Sequence, residues 1–327
     1  MEKRRVFSIL WILAGTLLIG LGPAPGWSQD FPSKPITIYC GFEAGATTDL
    51  TSRALAEEGQ KILGVPVVVE NKPGGGSTVA ASLLASKKPD GYTLGIAAVA
   101  SLTVVPHRTK LPYGPPDDYL PIIKLVNIPI CLSVKSDAPW KTLEEFVAAA
   151  KASPGKIRVG LAGGLGTLFH LNLEQFKALA KVDLTAVPFA GGAESVPALL
   201  GGHVNADVHT VHEILPHVQA GKARVLGVFE EKRNSLFPGA PTFREKGFDV
   251  TMAAYYLVFG PKGLPSQVVS TVHDSLKKAM EEPAFQKPMK ESGFEISYEG
   301  PADIKKRLMR DYEQCRVLVE TLNLKEK

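Results

Sequence analysis

Four short glycine-rich loops, each followed at once by a predicted helix, are the part of the sequence best suited to chemistry. We call them loops 1 to 4, for residues 45–49, 74–78, 163–167 and 191–195. A helix N-terminus offers unpaired N–H groups and the positive end of the helix dipole, and glycine lets a ligand come close to them. Glycine in an α/β loop also serves simple tight turns. Four loops at equivalent places nevertheless favour a site for a small oxyanion.

The sequence lacks the motifs that would turn such loops into a nucleotide site or an active site. Neither G-x-x-x-x-G-K-[ST] nor G-x-G-x-x-G occurs, and there is no G-x-S-x-G turn. No nucleophile, base and orienting residue stand in a recognised arrangement. We therefore expect a binding protein with no cofactor rather than a secreted transferase or hydrolase.

Several histidines could suggest a metal site. Four of them crowd residues 203–217, but Glu213 directly follows His212 instead of standing at the spacing of a helical ligand pair. We interpret this group as solvated or core-edge histidines and predict no metal. His170 differs because it lies in the first turn of the helix behind loop 3, where capping, packing and ligand contact all remain open.

The N-terminus has the pattern of a secretory signal peptide. Three basic residues at positions 3–5 precede an apolar stretch at 6–21 and the small residues Gly26 and Ser28, which indicates cleavage after about residue 28. An uncleaved membrane anchor is the alternative, since the apolar stretch is only slightly short for a spanning helix. Cleavage places the mature protein in the periplasm.

Charge and cysteine usage exclude other classes. Residues 1–28 hold three bases and one acid, so their removal lowers the net charge from +4 to +2. Without a basic stripe the chain is not expected to bind nucleic acid. Cys40, Cys131 and Cys315 form no zinc motif, and whether two of them form a disulfide stays open.

The order of predicted elements indicates two α/β lobes. Strand, helix, strand, helix, strand follow one another from residue 36, and the same order restarts after Trp140 with its own glycine loops. Such alternation requires parallel strands joined by crossovers, and ligands bind at the carboxyl edge of these sheets. Residues 128–134 and 225–229 are the candidate crossover strands, which would form a hinge.

Long stretches of the sequence resemble a known family. They include "FPSKPITIYCGFEAGATTDLTSRALAE", "VVVENKPGGGSTVAASLLASKKPDGYTL" and "GLGTLFHLNLEQFKALAKVDLTAVPFAGGAESVPALLGGHVNADV", together with "APTFREKGFDV". These stretches are similar, in order and over nearly the whole mature chain, to the extracytoplasmic solute receptors of tripartite tricarboxylate transporters, also called Bug-type periplasmic binding proteins.

That resemblance implies a type II periplasmic-binding-protein fold, with two Rossmann-like lobes joined by a two-strand hinge. The implied boundaries are a signal peptide at 1–28, lobe 1 at 29–128 and 230–327, and lobe 2 at 129–229. The implied function is capture of a small organic carboxylate between the lobes, without catalysis, and its delivery to the membrane permease subunits of the transporter. A monomer is expected. The alternative is a receptor of the same fold that signals to a membrane sensor kinase.

The resemblance also implies the ligand site, built from the loops with few or no charged side chains. The lobe 1 residues are Phe42, Gly45, Thr47, Thr48, Asp49, Gly75, Gly76, Ser77, Ser101 and Tyr256. The lobe 2 residues are Gly163, Gly166, Thr167, His170, Phe189, Ala190, Gly191 and Asp207. Asp207 would receive an amine or hydroxyl of the ligand or cap a neighbouring helix.

Three departures from the family pattern concern the shape and polarity of this site. Glu43 and Ala44 stand where the family usually has proline and glycine, so loop 1 is expected to differ in shape. Ser101 is the nearest hydroxyl after a strand that is commonly richer in them. A usual tryptophan is replaced by Tyr255 or Tyr256, either of which keeps an aromatic face and adds a hydroxyl.

Overall fold

The computed structural model describes residues 31–325, so the predicted signal peptide at residues 1–28 lies outside the described residues. The described residues form eleven strands in two sheets. In chain order the strands are β1 (Ile36–Cys40), β2 (Val67–Asn71), β3 (Thr93–Ala98), β4 (Tyr119–Ile128), β5 (Ile130–Lys135), β6 (Arg158–Ala162), β7 (Thr185–Phe189), β8 (Ala206–Thr210), β9 (Ala223–Val228), β10 (Ala254–Pro261) and β11 (Glu295–Glu299).

Helices cover both sheets. They are α1 (Thr47–Leu63), α2 (Thr78–Ala85), α3 (Ala100–Thr103), α4 (Val105–Arg108), α5 (Leu143–Ala152), α6 (Leu168–Ala180), α7 (Gly192–Leu200), α8 (Val211–Gln219), α9 (Ser266–Glu281), α10 (Pro283–Glu291) and α11 (Pro301–Thr321). None of the helices between residues 31 and 325 combines the length and the apolar composition of a bilayer-spanning segment.

The first sheet has the order β11-β4-β10-β3-β1-β2. β1 pairs in parallel with β2 and β3, as the strand-helix alternation predicts, while β10 and β11 run antiparallel to β4. The inner parallel strands β1 and β3 are mostly buried, so they need cover on both faces, whereas the edge strand β2 is largely exposed. Loops 1 and 2 therefore follow neighbouring strands and lie at the same edge of this sheet.

The second sheet repeats the parallel core on a smaller scale, with the order β7-β6-β8-β5-β9. β6 pairs in parallel with β7 and β8, and β5 runs antiparallel to both β8 and β9. Loops 3 and 4 follow β6 and β7, so they lie together at the carboxyl edge. The two sheets and their helices form the two predicted lobes.

Two segments connect the sheets. Only Pro129 separates β4 of the first sheet from β5 of the second. After β9 the chain stays with the second sheet, because Thr242 pairs with Val228 and the ring of Phe229 stacks on Phe243 with centroids 4.0 Å apart. The chain rejoins the first sheet only at β10. The boundary expected from the sequence puts this return earlier, directly after residue 229.

Local signals in the sequence set the helix ends. The side chain of Thr142 accepts a hydrogen bond from the N–H of Glu145 at 3.2 Å and so caps the start of α5. α1 ends at Gly64, whose φ of +72° closes the helix with an N–H bond to the carbonyl of Gln60. These ends fix where each helix meets its loop.

Candidate functional site

Loop 1 is organised by one buried carboxylate. Asp49 accepts hydrogen bonds from the N–H of Gly45 at 2.9 Å, from Arg53 Nε at 2.9 Å and from Asn71 Nδ2 at 2.8 Å. Burial alone would raise the pKa of Asp49, but the bonds from Arg53, Gly45 and Asn71 outweigh it and hold that pKa below its usual range. Asp49 thus shapes the loop from inside, and its oxygens already have three protein donors.

The remaining lobe 1 candidates of this loop surround the start of α1. Thr47 Oγ1 lies 3.2 Å from the hydroxyl of Tyr256, and Thr48 is buried. Phe42 packs at the edge of the core, and its backbone carbonyl accepts a hydrogen bond from the side chain of Asn71. Tyr256, rather than Tyr255, therefore reaches loop 1. The hydroxyl of Tyr255 instead donates to Asp311 at 2.9 Å.

Loop 2 explains why three consecutive glycines stand between β2 and α2. Gly74, Gly75 and Gly76 have φ values of +128°, +56° and +62°, and Ser77 continues at +86°. This left-handed run turns the chain sharply, which glycine permits at no steric cost. It presses Ser77 against Gly41, the residue that follows β1, because a Cβ on Gly41 would stand 2.0 Å from Ser77 Oγ. The buried Ser77 hydroxyl has no hydrogen-bond partner among the described residues.

Loop 3 is held by a histidine. The N–H of Gly166 donates to His170 Nδ1 at 3.1 Å, and Thr167 Oγ1 donates to the carbonyl of Gly164 at 2.9 Å. Because Nδ1 accepts, the ring proton of neutral His170 is on Nε2, which points to Glu174 at 3.7 Å. Burial lowers the pKa of His170, so it is neutral near pH 7. Of the alternatives left open by the sequence, the structure favours capping and packing.

Loop 4 carries its own carboxylates. Glu194 accepts a hydrogen bond from the N–H of Ala190 at 3.1 Å. The carboxylate of Glu213 packs so tightly on Gly192 that a Cβ atom on Gly192 would stand 2.1 Å from a carboxyl oxygen of Glu213. Phe189 and Gly191 flank this contact. Two protein anions thus already lie beside the N-terminus of α7, which leaves loops 1, 2 and 3 as the stronger candidates for an external anion.

Two predicted site residues lie in the interior. Asp207 is the second residue of β8, opposite Gly160 and Ser133 in the middle of the second sheet, and it is fully buried. Burial raises its pKa. Ser101 is also fully buried, and its hydroxyl donates to the carbonyl of Ala98 at 2.9 Å. Asp207 thus lies away from the loops, whereas Ser101 follows β3 at the carboxyl edge of the first sheet, with its hydroxyl turned toward the backbone.

The residue that sequence reasoning missed is Arg108, at the end of α4. Its Nη1 donates to the carbonyl of Gly166 in loop 3 at 3.3 Å, and its Nε donates to the carbonyl of Leu324 at 3.4 Å. Gly166 has φ +72°, and a Cβ there would stand 2.6 Å from the guanidinium carbon. Arg108 therefore joins the carboxyl edges of the two sheets. It lies outside every glycine loop, so no local pattern marks it.

The comparisons with known proteins agree with this architecture. The family described as tripartite tricarboxylate transporter family receptor matches residues 51–324. The chain belongs to this receptor family.

Relatives of the receptor span its whole length. A UPF0065 protein from the gbd 5' region of Cupriavidus necator is 36% identical over 99% of both chains. A solved TctC solute-binding protein from Polaromonas, without ligand, aligns with a TM-score of 0.80 and 29% identity, covering 89% of this chain and 99% of its own.

Two solved relatives from Rhodopseudomonas palustris carry ligands. MatC with bound malate aligns with a TM-score of 0.70 and 26% identity, over 88% of this chain and 100% of its own. A second protein, with adipate, aligns with a TM-score of 0.71 and 26% identity, over 90% and 99%. The family model and these neighbours are solute receptors, so the chain is a receptor and not an enzyme, as predicted.

The family membership confirms the two-lobed type II fold expected from the sequence. Membership in a receptor family also agrees with the lack of a recognised catalytic motif in the sequence. Within residues 31–325, no cluster of three or more histidine, cysteine, aspartate or glutamate side chains could hold a metal ion. Cys40, Cys131 and Cys315 are buried free thiols, so no two of them form a disulfide in this structure.

Proposed function

We propose that the chain is a periplasmic receptor that binds a small organic carboxylate between its lobes. The observation that carries the proposal is the contact of Arg108 with Gly166, which brings the edge of lobe 1 onto loop 3 of lobe 2. A ligand there would meet glycine-lined helix N-termini from both lobes. The malate and adipate of the two relatives support the ligand class.

In this proposal backbone N–H groups at the starts of α1 and α6 hold the carboxylate. Free helix donors and the helix dipole favour an anion without a dedicated ion pair. Loop 2 and the hydroxyls of Ser77, Thr47 and Tyr256 would line the lobe 1 side. The positive charge of Arg108 beside loop 3 adds to the field at the edge of a site that is expected to hold few or no charged side chains.

The proposed boundaries follow the packing. Lobe 2 extends from residue 129 to about residue 250, because the segment after β9 packs on the second sheet through Phe229 and Phe243. Lobe 1 comprises the rest of the mature chain, and the two connections pass at Pro129 and near residues 251–253. Rotation about these connections would close the lobes over the ligand.

A thermal-shift screen of the mature protein tests ligand binding. Malate, adipate and a tricarboxylate are compared with neutral esters of the same acids, which lack the charge. A carboxylate at 100 times its Kd should stabilise the protein by about 2.7 kcal/mol. If no acid in the panel shifts the melting temperature, or if the esters shift it equally, the proposed ligand class is wrong.

Export and delivery are tested in cells. N-terminal sequencing of the periplasmic protein should begin near residue 29, and an intact residue 1–28 segment on that protein would contradict export by cleavage. Uptake of the identified acid should fall when this gene or the permease genes are deleted. Unchanged uptake with a lost transcriptional response would instead favour the sensor-kinase alternative.

A further inference from the structure

A polar cavity of about 240 Å³ lies beside the returning connection between the lobes, apart from the glycine loops. From lobe 1 the cavity is lined by Lys124 and Asn127 of β4, by Glu295 and Ser297 of β11, and by Arg307 of α11. Glu230, Glu231 and Lys232 line it from the segment that follows β9. Thr251 and Ala253, on the returning connection, complete the wall. The cavity therefore touches both lobes and the returning connection.

Glu230 is the unusual group in this cavity, because it is only 5% exposed and no cation is paired with it in the described structure. Its Oε2 accepts one long bond from Asn234 Nδ2, at 3.4 Å. Within residues 31–325, three cations line the cavity. Lys124 Nζ lies 2.9 Å from Glu299, Arg307 Nε lies 2.7 Å from the same carboxylate, and Lys232 is exposed to solvent. Arg307 and Arg310 also approach Glu231, at 3.8 and 3.6 Å.

Glu230 and Glu295 belong to different lobes. Phe229 donates its N–H to Ile130 of β5, which anchors Glu230 to the second sheet, whereas Glu295 pairs with Asn127 of β4 in the first. Burial, and then the nearby Glu295, raise the pKa of Glu230 to about 7, although Asn234 and Lys124 oppose the shift. Ionised Glu230 is thus poorly solvated and faces a like charge across the hinge.

We propose that the hinge cavity couples the lobe angle to pH, with Glu230 as the titrating group and a proton as its ligand. Protonated Glu230 is compatible with the lobe arrangement described here. Its ionisation favours a rotation that admits water to the cavity and separates Glu230 from Glu295. The inference rests on the proposed two-lobe receptor and adds a second, pH-sensing role to its hinge.

The direction of the pH effect follows from the linkage between proton binding and lobe closure. If the open form exposes Glu230, its pKa there returns toward the ordinary glutamate value of about 4.3, below that of the closed form. Closure then takes up a proton between these two values. Ligand affinity should fall by up to about tenfold per pH unit as the pH rises toward 7, and level off above it.

Small-angle scattering of the ligand-free mature protein between pH 5.5 and 8.5 provides a test that needs no ligand. The wild-type radius of gyration should increase as pH rises toward 7, whereas Glu230→Gln should show one radius throughout. Glu295→Gln should shift the change to lower pH. Glu245→Gln is the control, since it removes a half-exposed carboxylate of the same segment that pairs with Arg233 and does not line the cavity.

Calorimetry with an identified acid completes the test. The ratio of the wild-type Kd to the Glu230→Gln Kd cancels the titration of the ligand itself, and it should change at least threefold between pH 5.5 and 7. A wild-type radius that is constant with pH, or a Glu230→Gln variant that keeps the wild-type pH response, would overturn the inference. If no carboxylate binds, the proposed function fails while the scattering result still decides this one.

Discussion

Two aspartates that are buried within residues 31–325, Asp49 and Asp207, differ in the hydrogen-bond donors around them. Asp49 has three donors and a lowered pKa. Neither carboxyl oxygen of Asp207 has a hydrogen-bond partner within residues 31–325. Burial raises its pKa, and the nearby His209 and Ser195 offset only part of this effect. The same side chain therefore stabilises a loop in one place and destabilises a sheet in the other.

We expect Asp207→Asn to stabilise the protein near neutral pH. Because the folded-state pKa of Asp207 lies above its unfolded value, folding is penalised above the unfolded pKa, and the penalty is complete above the folded pKa. Each pKa unit corresponds to about 1.4 kcal/mol. Urea unfolding at pH 7.5 and pH 4 should show a gain that shrinks in acid. Asp183→Asn, on the surface, is the control, and an equal gain there would contradict the explanation.

Gly166→Ala should weaken ligand binding more than it weakens folding. The new methyl group would strain a φ of +72° and displace the guanidinium of Arg108. Gly202→Ala is a matched control because Gly202 has φ +76° with open space around its Cα. Both variants should lose about 1 kcal/mol of stability. Only Gly166→Ala should raise the Kd in calorimetry, and equal Kd values would show that the contact with Arg108 is unimportant for binding.

Elements were predictable where the sequence carries a local signal. Alternating strand and helix patterns gave the parallel cores β1–β3 and β6–β8, and glycine runs gave the loops between them. The interior place of Asp207 was not predictable, because it depends on the register of β8 against β6 and β5. The contact of Arg108 with loop 3 joins residues far apart in the chain, so no spacing rule reveals it.

The cap of α5 gives a prediction at the scale of one element. Thr142→Ala removes the acceptor for the N–H of Glu145, which should lower the free energy of unfolding by about 1 kcal/mol. Thr271→Ala is the control: its hydroxyl bonds to the carbonyl of Gln267 inside α9, where that carbonyl keeps its helical bond. Chemical denaturation measures both. A smaller loss for Thr142→Ala than for Thr271→Ala would contradict the capping argument.

In the whole molecule, side-chain contacts among residues 31–325 bridge the lobes at further places besides the chain connections and the ion pairs of Glu231 with Arg307 and Arg310. Arg108 bonds to loop 3 on one side. On the other, the ring of His212 in α8 meets the ring of Phe294, at 5.7 Å between centroids, and Phe294 in turn contacts Tyr256 at 5.8 Å. Tyr256 reaches Thr47 of loop 1. A continuous series of side-chain contacts thus runs from α8 of lobe 2 to loop 1 of lobe 1.

Arg108 should act on the lifetime of the closed complex. Its bond to the carbonyl of Gly166 exists only while the lobes touch, so Arg108→Gln should raise the dissociation rate of a bound carboxylate severalfold and change the association rate much less.

Stopped-flow fluorescence measures both rates. Arg244→Gln is the control, because it removes an exposed arginine whose ion pair with Asp249, at 2.9 Å, does not involve the Arg108–loop 3 contact. Loss of positive charge alone would slow association in both variants, and the size of that slowing would depend on the salt concentration. An unchanged dissociation rate in Arg108→Gln would show that the arginine does not hold the lobes together, and closure would then depend on the ligand and the hinge alone.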